Sequence, residues 1–176
     1  FGRAHRRPWR NKGAPGTIRK DSETEPGHCI SIDQLVSAQP GLIPQMSRFL
    51  TNQRIWGATV FVDHVSDYVY VFLMRDLTLD ETVLAKTSFQ RHAQDGGVKI
   101  LAYRADNGRF ADQGFRDSVT DCNQKITFCA VGAHHQNGIV ERHIKELTLI
   151  ACTLLLHAVR HWPGYITTMI WPFALK

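Results

Sequence analysis

The sequence has no acidic residue in its first 20 positions, no C-x-x-C pair and no internal repeat. It also has no apolar run near the roughly 20 residues that a membrane-spanning helix needs. Each absence narrows the field. Without acids, the seven Lys and Arg of residues 1–20 are uncompensated, and the rest of the chain carries 14 basic against 16 acidic side chains, a balance of −2. The overall +5 therefore belongs to an arm, RAHRRPWRNKG, rather than to the domain behind it. A polyanion is the natural partner of such an arm, with Arg6, Arg7 and Arg10 as its contacts. A solvated leader or linker is the plainer alternative, and the segment does not distinguish RNA from DNA. The most hydrophobic stretch, ATVFVDHVSDYVYVFLM, is broken by Asp63, His64 and Asp67, so no membrane association is expected.

The four cysteines, Cys29, Cys122, Cys129 and Cys152, form neither a metal-binding pair nor a disulfide framework. His157 and His161 stand four apart and His134 and His135 are adjacent, yet no cysteine pair completes a tetrahedral site, so no zinc is expected. A reducing compartment follows. What remains is a chain of 176 residues, 43% hydrophobic and 21% charged, sufficient for one globular domain with its own core. It opens on Phe1 with no signal-peptide pattern and stops abruptly in WPFALK, and is read as a piece of a longer polypeptide.

Hydrophobic patterning predicts a first strand in PGHCISIDQLV and a polar, proline-broken connection over residues 37–56. GATVFVDHV and DYVYVFLMR follow as a hairpin turning through residues 64–67. Thr78-Leu-Asp-Glu81 is a capping-box pattern for a helix running to about Gln94, ended by Asp95-Gly-Gly97. VKILAYR reads as a fourth strand, residues 110–121 as a short helix and KITFCAV as a fifth strand. A long helix begins near Ile139, with Ile144, Leu147, Ala151, Leu154, Leu155 and Ala158 on its inner face, and Pro163 stops it. Three strands, a helix, then alternating strands and helices make a mixed sheet with helices on its faces.

Three acids stand where solubility alone does not call for them. Asp33 interrupts the first strand, Asp106 ends the fourth, and Glu141 lies in the first turn of the long helix. Half-buried carboxylates are costly unless paired, protonated or bound to a cation. Hard divalent ions favour a few carboxylate oxygens completed by water and phosphate. Each acid has a structural reading too. Asp106-Asn107-Gly108 is a turn signal, Glu141 suits the positive end of a helix, and Asp33 fits an exposed strand face. Asp63, in FVDHVSDY, is a rival fourth candidate.

Taken together, SIDQL, ADNGRF and HHQNGIVER resemble the catalytic core of retroelement integrases, the DDE branch of the RNase H-like superfamily. The RRPWR arm, the ATVFVDHVS strand and Gly-Ala-His-His-Gln-Asn-Gly before the last acid make the resemblance copia-type, and it covers nearly the whole chain. It implies an RNase H-like fold with a mixed five-stranded sheet flanked by helices. Residues 1–26 would be a basic arm following a missing zinc module, residues 27–162 the catalytic core, and residues 163–176 the start of a C-terminal extension. The implied triad is Asp33, Asp106 and Glu141, holding two Mg²⁺ or Mn²⁺ ions for phosphoryl transfer on DNA, and Asp63 is demoted. The stretch between Asp106 and Glu141 is one residue shorter than the family's spacing.

Supporting roles follow for the neighbours. Asn107 and Gly108 shape the bend at Asp106, and Gly132 and Gly138 bound a mobile loop. Asn137, Arg142 and Lys145 contact DNA, the last one helical turn from Glu141. An integrase would act as a homo-oligomer on element cDNA ends and a target duplex, inside the cell and in the nucleus of a eukaryotic host. Two alternatives stand beside it. One is a catalytically inert or domesticated nucleic-acid-binding module of the same fold, and the other an RNase H-like nuclease that only cleaves.

Overall fold

The structure, a computed structural model, describes residues 24–44, 51–129 and 137–176. Five strands form one sheet in the order β3-β2-β1-β4-β5: β1 (Ile30–Gly41), β2 (Ile55–Asp63), β3 (Val69–Met74), β4 (Ala102–Ala105) and β5 (Lys125–Phe128). The first three strands are antiparallel, while β4 joins β1 and β5 joins β4 in parallel. The change of sense coincides with the first helix. Short turns can join antiparallel neighbours, but parallel ones need a long crossover. Helices α1 (Leu79–Asp95) and α2 (Gln113–Thr120) supply those crossovers. This is the mixed, helix-flanked sheet expected from the sequence.

Strand alternation divides the core into two layers. Ile30 and Ile32 of β1, Phe61 of β2, and Tyr103 and Ala105 of β4 pack with Ala85, Phe89 and Ala93 of α1 and with Phe115 and Val119 of α2. Phe61 and Phe89 stack with ring centroids 4.5 Å apart. On the opposite face Val60 and Val62 of β2 meet Val140 of α3 (Gly138–His161), supported by Ile144 and Leu147. Ser31 and Asp33, alternating with Ile30 and Ile32, therefore face α3.

Local signals were largely honoured. Thr78 caps α1 by accepting from the Glu81 N–H, but Glu81 does not reach back to close the box. Its carboxylate pairs instead with the Arg75 guanidinium at 3.0 Å, since a full charge partner outcompetes a lone amide. β1 runs past its expected end to Gly41, with Pro40 inside the irregularity between Val36 and Gly41 where a missing N–H is tolerated. α3 stops at His161, two residues before Pro163. Leu154, expected inward, is exposed, and so are Leu149, Ile150 and Leu156.

The end of the chain returns to the sheet. Helix α4 (Trp171–Leu175) buries Trp171 and Leu175 against Ile55 and Ala151, and the Trp171 indole N–H donates to the Gln39 carbonyl at 3.0 Å. No helix among the described residues is long and apolar enough to cross a membrane.

Candidate active site

β1 and β4 run parallel with Ile30 opposite Tyr103 and Ser31 opposite Arg104. That pairing ends at Ser31–Arg104, two residues before Asp33 on β1 and two before Asp106, which directly follows β4. Alternation then decides direction. Tyr103 and Ala105 belong to the α1 side, so Arg104 between them takes the α3 side, as Asp33 does, and Asp106 follows directly after the strand. Asp33 also lies across from Val60 of β2, which packs on Val140 of α3, one residue before Glu141. All three acids are half-buried.

Their proximity is visible electrostatically. Burial, together with the negative charges of Asp106 and Glu141, raises the Asp33 pKa to about 6, against a partly opposing hydrogen bond from the Gln34 N–H at 2.7 Å. Cys129, just beyond β5, reports the same field. Its buried thiol is pushed up first by burial, then by Asp106, Glu141 and Asp33, while Arg104 opposes them. Neither Cys129 nor Arg104 was singled out from sequence. Arg104 was findable, because two residues before Asp106 on a strand means the same face.

The turn at Asp106 is built from its own carboxylate, which accepts from the Gly108 N–H at 3.1 Å. A Cβ at Gly108 would stand 3.1 and 3.2 Å from the two carboxylate oxygens, so glycine keeps that space open. Asn107 donates through Nδ2 to the Cys129 carbonyl at 2.8 Å, fastening the turn to the end of β5. Both expected loop-shaping residues thus have a physical task here. Gly138 starts α3 with nothing within 4 Å of a would-be Cβ.

The expected DNA contacts separate. Arg6, Arg7, Arg10, Gly132 and the His134-His135 pair lie outside the described residues. Lys145 is exposed, one turn after Glu141. Arg142 is exposed but turns toward the β2–β3 hairpin, 4.0 Å from Asp67 and 3.8 Å from Glu146, so it does not share a grip with Lys145. Asn137 is a correction. Only 2% exposed, it donates through Nδ2 to the Ile32 carbonyl at 3.2 Å and is an internal tie, not a surface offered to DNA. Asp63 ends β2 opposite Ile30, three residues along β1 from Asp33, with both carboxylate oxygens accepting hydrogen bonds.

The donor set suits a hard divalent cation: burial and the negative charges of Asp106 and Glu141 raise the proton affinity of Asp33, which a cation would relieve. Among the described residues no three acids, histidines or cysteines gather closely enough to cage one ion. Two-metal sites in general ask for fewer protein carboxylates at each ion, the remainder coming from water and substrate.

No protein-family model and no curated sequence matches the chain. Solved structures do. A chain of the simian T-cell lymphotropic virus intasome, determined in complex with the PP2A regulatory subunit B56 gamma, superposes with a TM-score of 0.60 at 20% identity, covering 85% of this chain and 47% of that one. This chain thus spans about half the length of that intasome protein. The HTLV-2 integrase catalytic core domain in complex with magnesium matches in its dimeric form with a TM-score of 0.51 at 21% identity, covering 87% of this chain and 86% of that one. Its trimeric form matches at 0.51 and 21%, covering 85% and 83%. The chain therefore has the mixed five-stranded, RNase H-like fold of an integrase catalytic core.

Proposed function

We propose that the chain is the catalytic core of a retroelement integrase, of the copia type, acting on DNA by metal-dependent phosphoryl transfer. The observation that supports this reading is the parallel pairing of β1 with β4 up to Ser31–Arg104, two residues before Asp33 and Asp106, together with the negative charges of Asp106 and Glu141 felt at Asp33. Magnesium, reported with the HTLV-2 core, or manganese would supply Lewis-acid stabilisation of the entering and leaving oxygens of an in-line displacement at phosphorus. Asp33 would be shared between two ions, with Asp106 completing one and Glu141 the other. Burial and the neighbouring charges raise the Asp33 pKa to about 6, and a bound cation would favour its ionised form.

The chain's residues form no covalent bond to the substrate. The attacking oxygen is water when a DNA end is trimmed and a 3′-hydroxyl when that end joins a second duplex. One phosphodiester replaces another in the joining step, so no ATP is needed. Lys145 lies on the strand of helix surface that follows Glu141 and is suited to a backbone phosphate, a salt-sensitive and sequence-indifferent contact. Exposed Leu149, Ile150 and Leu156 on α3 support self-association, and if the host is eukaryotic the reaction would take place in the nucleus.

The test is incubation of the purified chain with Mg²⁺ or Mn²⁺ and a branched integration-intermediate DNA. Strand breakage with rejoining is expected, and Asp106→Asn should lower it by more than about 100-fold. The interaction lost is worth several kcal/mol, and about 1.4 kcal/mol is tenfold in rate. Circular dichroism and Tm of that variant should match the intact chain. Activity surviving the substitution refutes the triad. Binding without chemistry supports the inert module, and cleavage without joining supports a nuclease.

A further inference from the structure

Asn137 stands at the N-cap position of α3, where an asparagine side chain ordinarily accepts a hydrogen bond from the first turn of its own helix. It makes no such bond. Instead its Nδ2 crosses the fold to the Ile32 carbonyl at 3.2 Å, linking positions 105 apart in the chain. The last paired rung between β1 and β4 is Ser31–Arg104, so the Ile32 carbonyl lies one residue past it, where β4 turns away at Asp106. The next residue of β1 is Asp33. One helical turn after Asn137 is Glu141. A single buried amide therefore ties the start of the helix that carries Glu141 to the residue before Asp33.

Its other atom is unsatisfied. Oδ1 is buried and has no hydrogen-bond partner among the described residues. A buried amide oxygen left without a donor costs about 1–3 kcal/mol. Val140 already packs this turn of α3 against Val60 and Val62 of β2, so anchoring the helix does not call for an amide oxygen here. The arrangement makes sense where a donor arrives with a ligand, and the water ligands of a hydrated cation are donors of that kind.

We propose that Asn137 is a positioning residue: Nδ2 sets the separation of Glu141 from Asp33 and Asp106, and Oδ1 accepts a hydrogen bond from the water shell of a divalent cation bound among them. This rests on the reading of the three acids as a cation site. Partners in the shell behind a metal's direct ligands typically control 10–100-fold in affinity.

The experiment titrates Mg²⁺ against the purified chain, reading Tm as a function of ion concentration, with Mn²⁺ binding by electron paramagnetic resonance as a second measurement. Asn137→Ala removes both atoms, and Asn137→Leu removes them while keeping the volume, so that one remains usable should the other fail to fold. Both are expected to raise the Mg²⁺ and Mn²⁺ midpoints about tenfold or more beyond any loss of Tm in chelator. A lowered Tm with unchanged midpoints would make Asn137 a purely structural tie and overturn the inference alone. If the intact chain shows no ion-dependent shift, or one that Glu141→Gln leaves intact, the cation site itself fails and the inference falls with it.

Discussion

The Asp63 carboxylate closes the entry to β1: its Oδ1 accepts the Gly27 N–H at 2.8 Å, across 36 positions of chain. Its Oδ2 accepts from the Ser66 N–H and hydroxyl, both at 2.7 Å, and from the Val65 N–H at 3.2 Å. An acid that the sequence offers as a rival metal ligand is thereby committed to holding a hairpin turn against the preceding segment.

Asp63→Ala should destabilise the fold by about 3 kcal/mol, since it strands several buried donors that met a charged acceptor, while leaving the Mg²⁺ midpoint unchanged. Burial pushes this carboxyl up, but the hydrogen bonds outweigh it and the net value falls below the usual 3.8. A carboxyl ionised more readily in the folded state stabilises above that usual value and ceases to as pH falls through the folded one. The gap between the intact chain and the variant should close in strong acid, as urea denaturation at stepped pH would register.

Asp33 should behave in the opposite sense. Folding raises its pKa from 3.8 to about 6, so the folded chain binds this proton more tightly than the unfolded chain. Stability in chelator should therefore fall as pH rises from about 4 to about 6 and then level off. Asp33→Asn should remove that slope and be the more stable protein above pH 6, with Tm higher by about 2–4 °C for each kcal/mol relieved. Mg²⁺ should raise the Tm of the intact chain and not of the variant. A parallel pH dependence in both proteins would count against the crowding of charge on this face.

Lys145→Ala should weaken DNA binding to a similar degree for unrelated sequences. The slope of log affinity against log salt should become shallower by about 0.9, the signature of one lost phosphate contact on duplex DNA. Arg142→Ala should leave the slope nearer to that of the intact chain, because Arg142 faces Asp67 and Glu146. Equal losses in the two variants would contradict the division of the α3 surface described above.

Gly41→Ala tests the docking of the terminal segment. A Cβ there would come within 2.3 Å of Pro172 Cγ and 2.8 Å of Trp171 Cε2. Overpacking of this kind costs about 1–3 kcal/mol. The expected result is a lower Tm with red-shifted tryptophan emission as Trp171 gains water, while the Mg²⁺ response is retained, since Asp33 lies eight residues back along β1, Asp106 follows β4 and Glu141 lies on α3.

Much of this fold was legible because its signals are local. The 2.0-residue period of a strand and the 3.6-residue period of a helix are set by backbone geometry, and they located β2, β3, α1 and α3 to within a few residues. Thr78 was recognisable as a cap from its hydroxyl and its place before an apolar run. Asp106-Asn107-Gly108 was equally readable as a bend. The end of β1 was less so, because Pro40 signals a break unless a partner strand offers a bulge to receive it. Glu81 was misassigned for a similar reason: its choice of Arg75 over its own helix end depends on where β3 finishes.

The sequence by itself determined which residues could do chemistry: an acid inside a strand, an acid at a strand end, and an acid in the first turn of a helix. Only the tertiary structure decided that β1 lies beside β4, paired up to the residues just before Asp33 and Asp106, because strand order follows from which apolar faces bury one another across long stretches of chain. It also decided that Asn137 turns inward and Arg142 outward. A polar residue beside glycine reads as surface from its neighbours alone, and burial is a property of what folds over it.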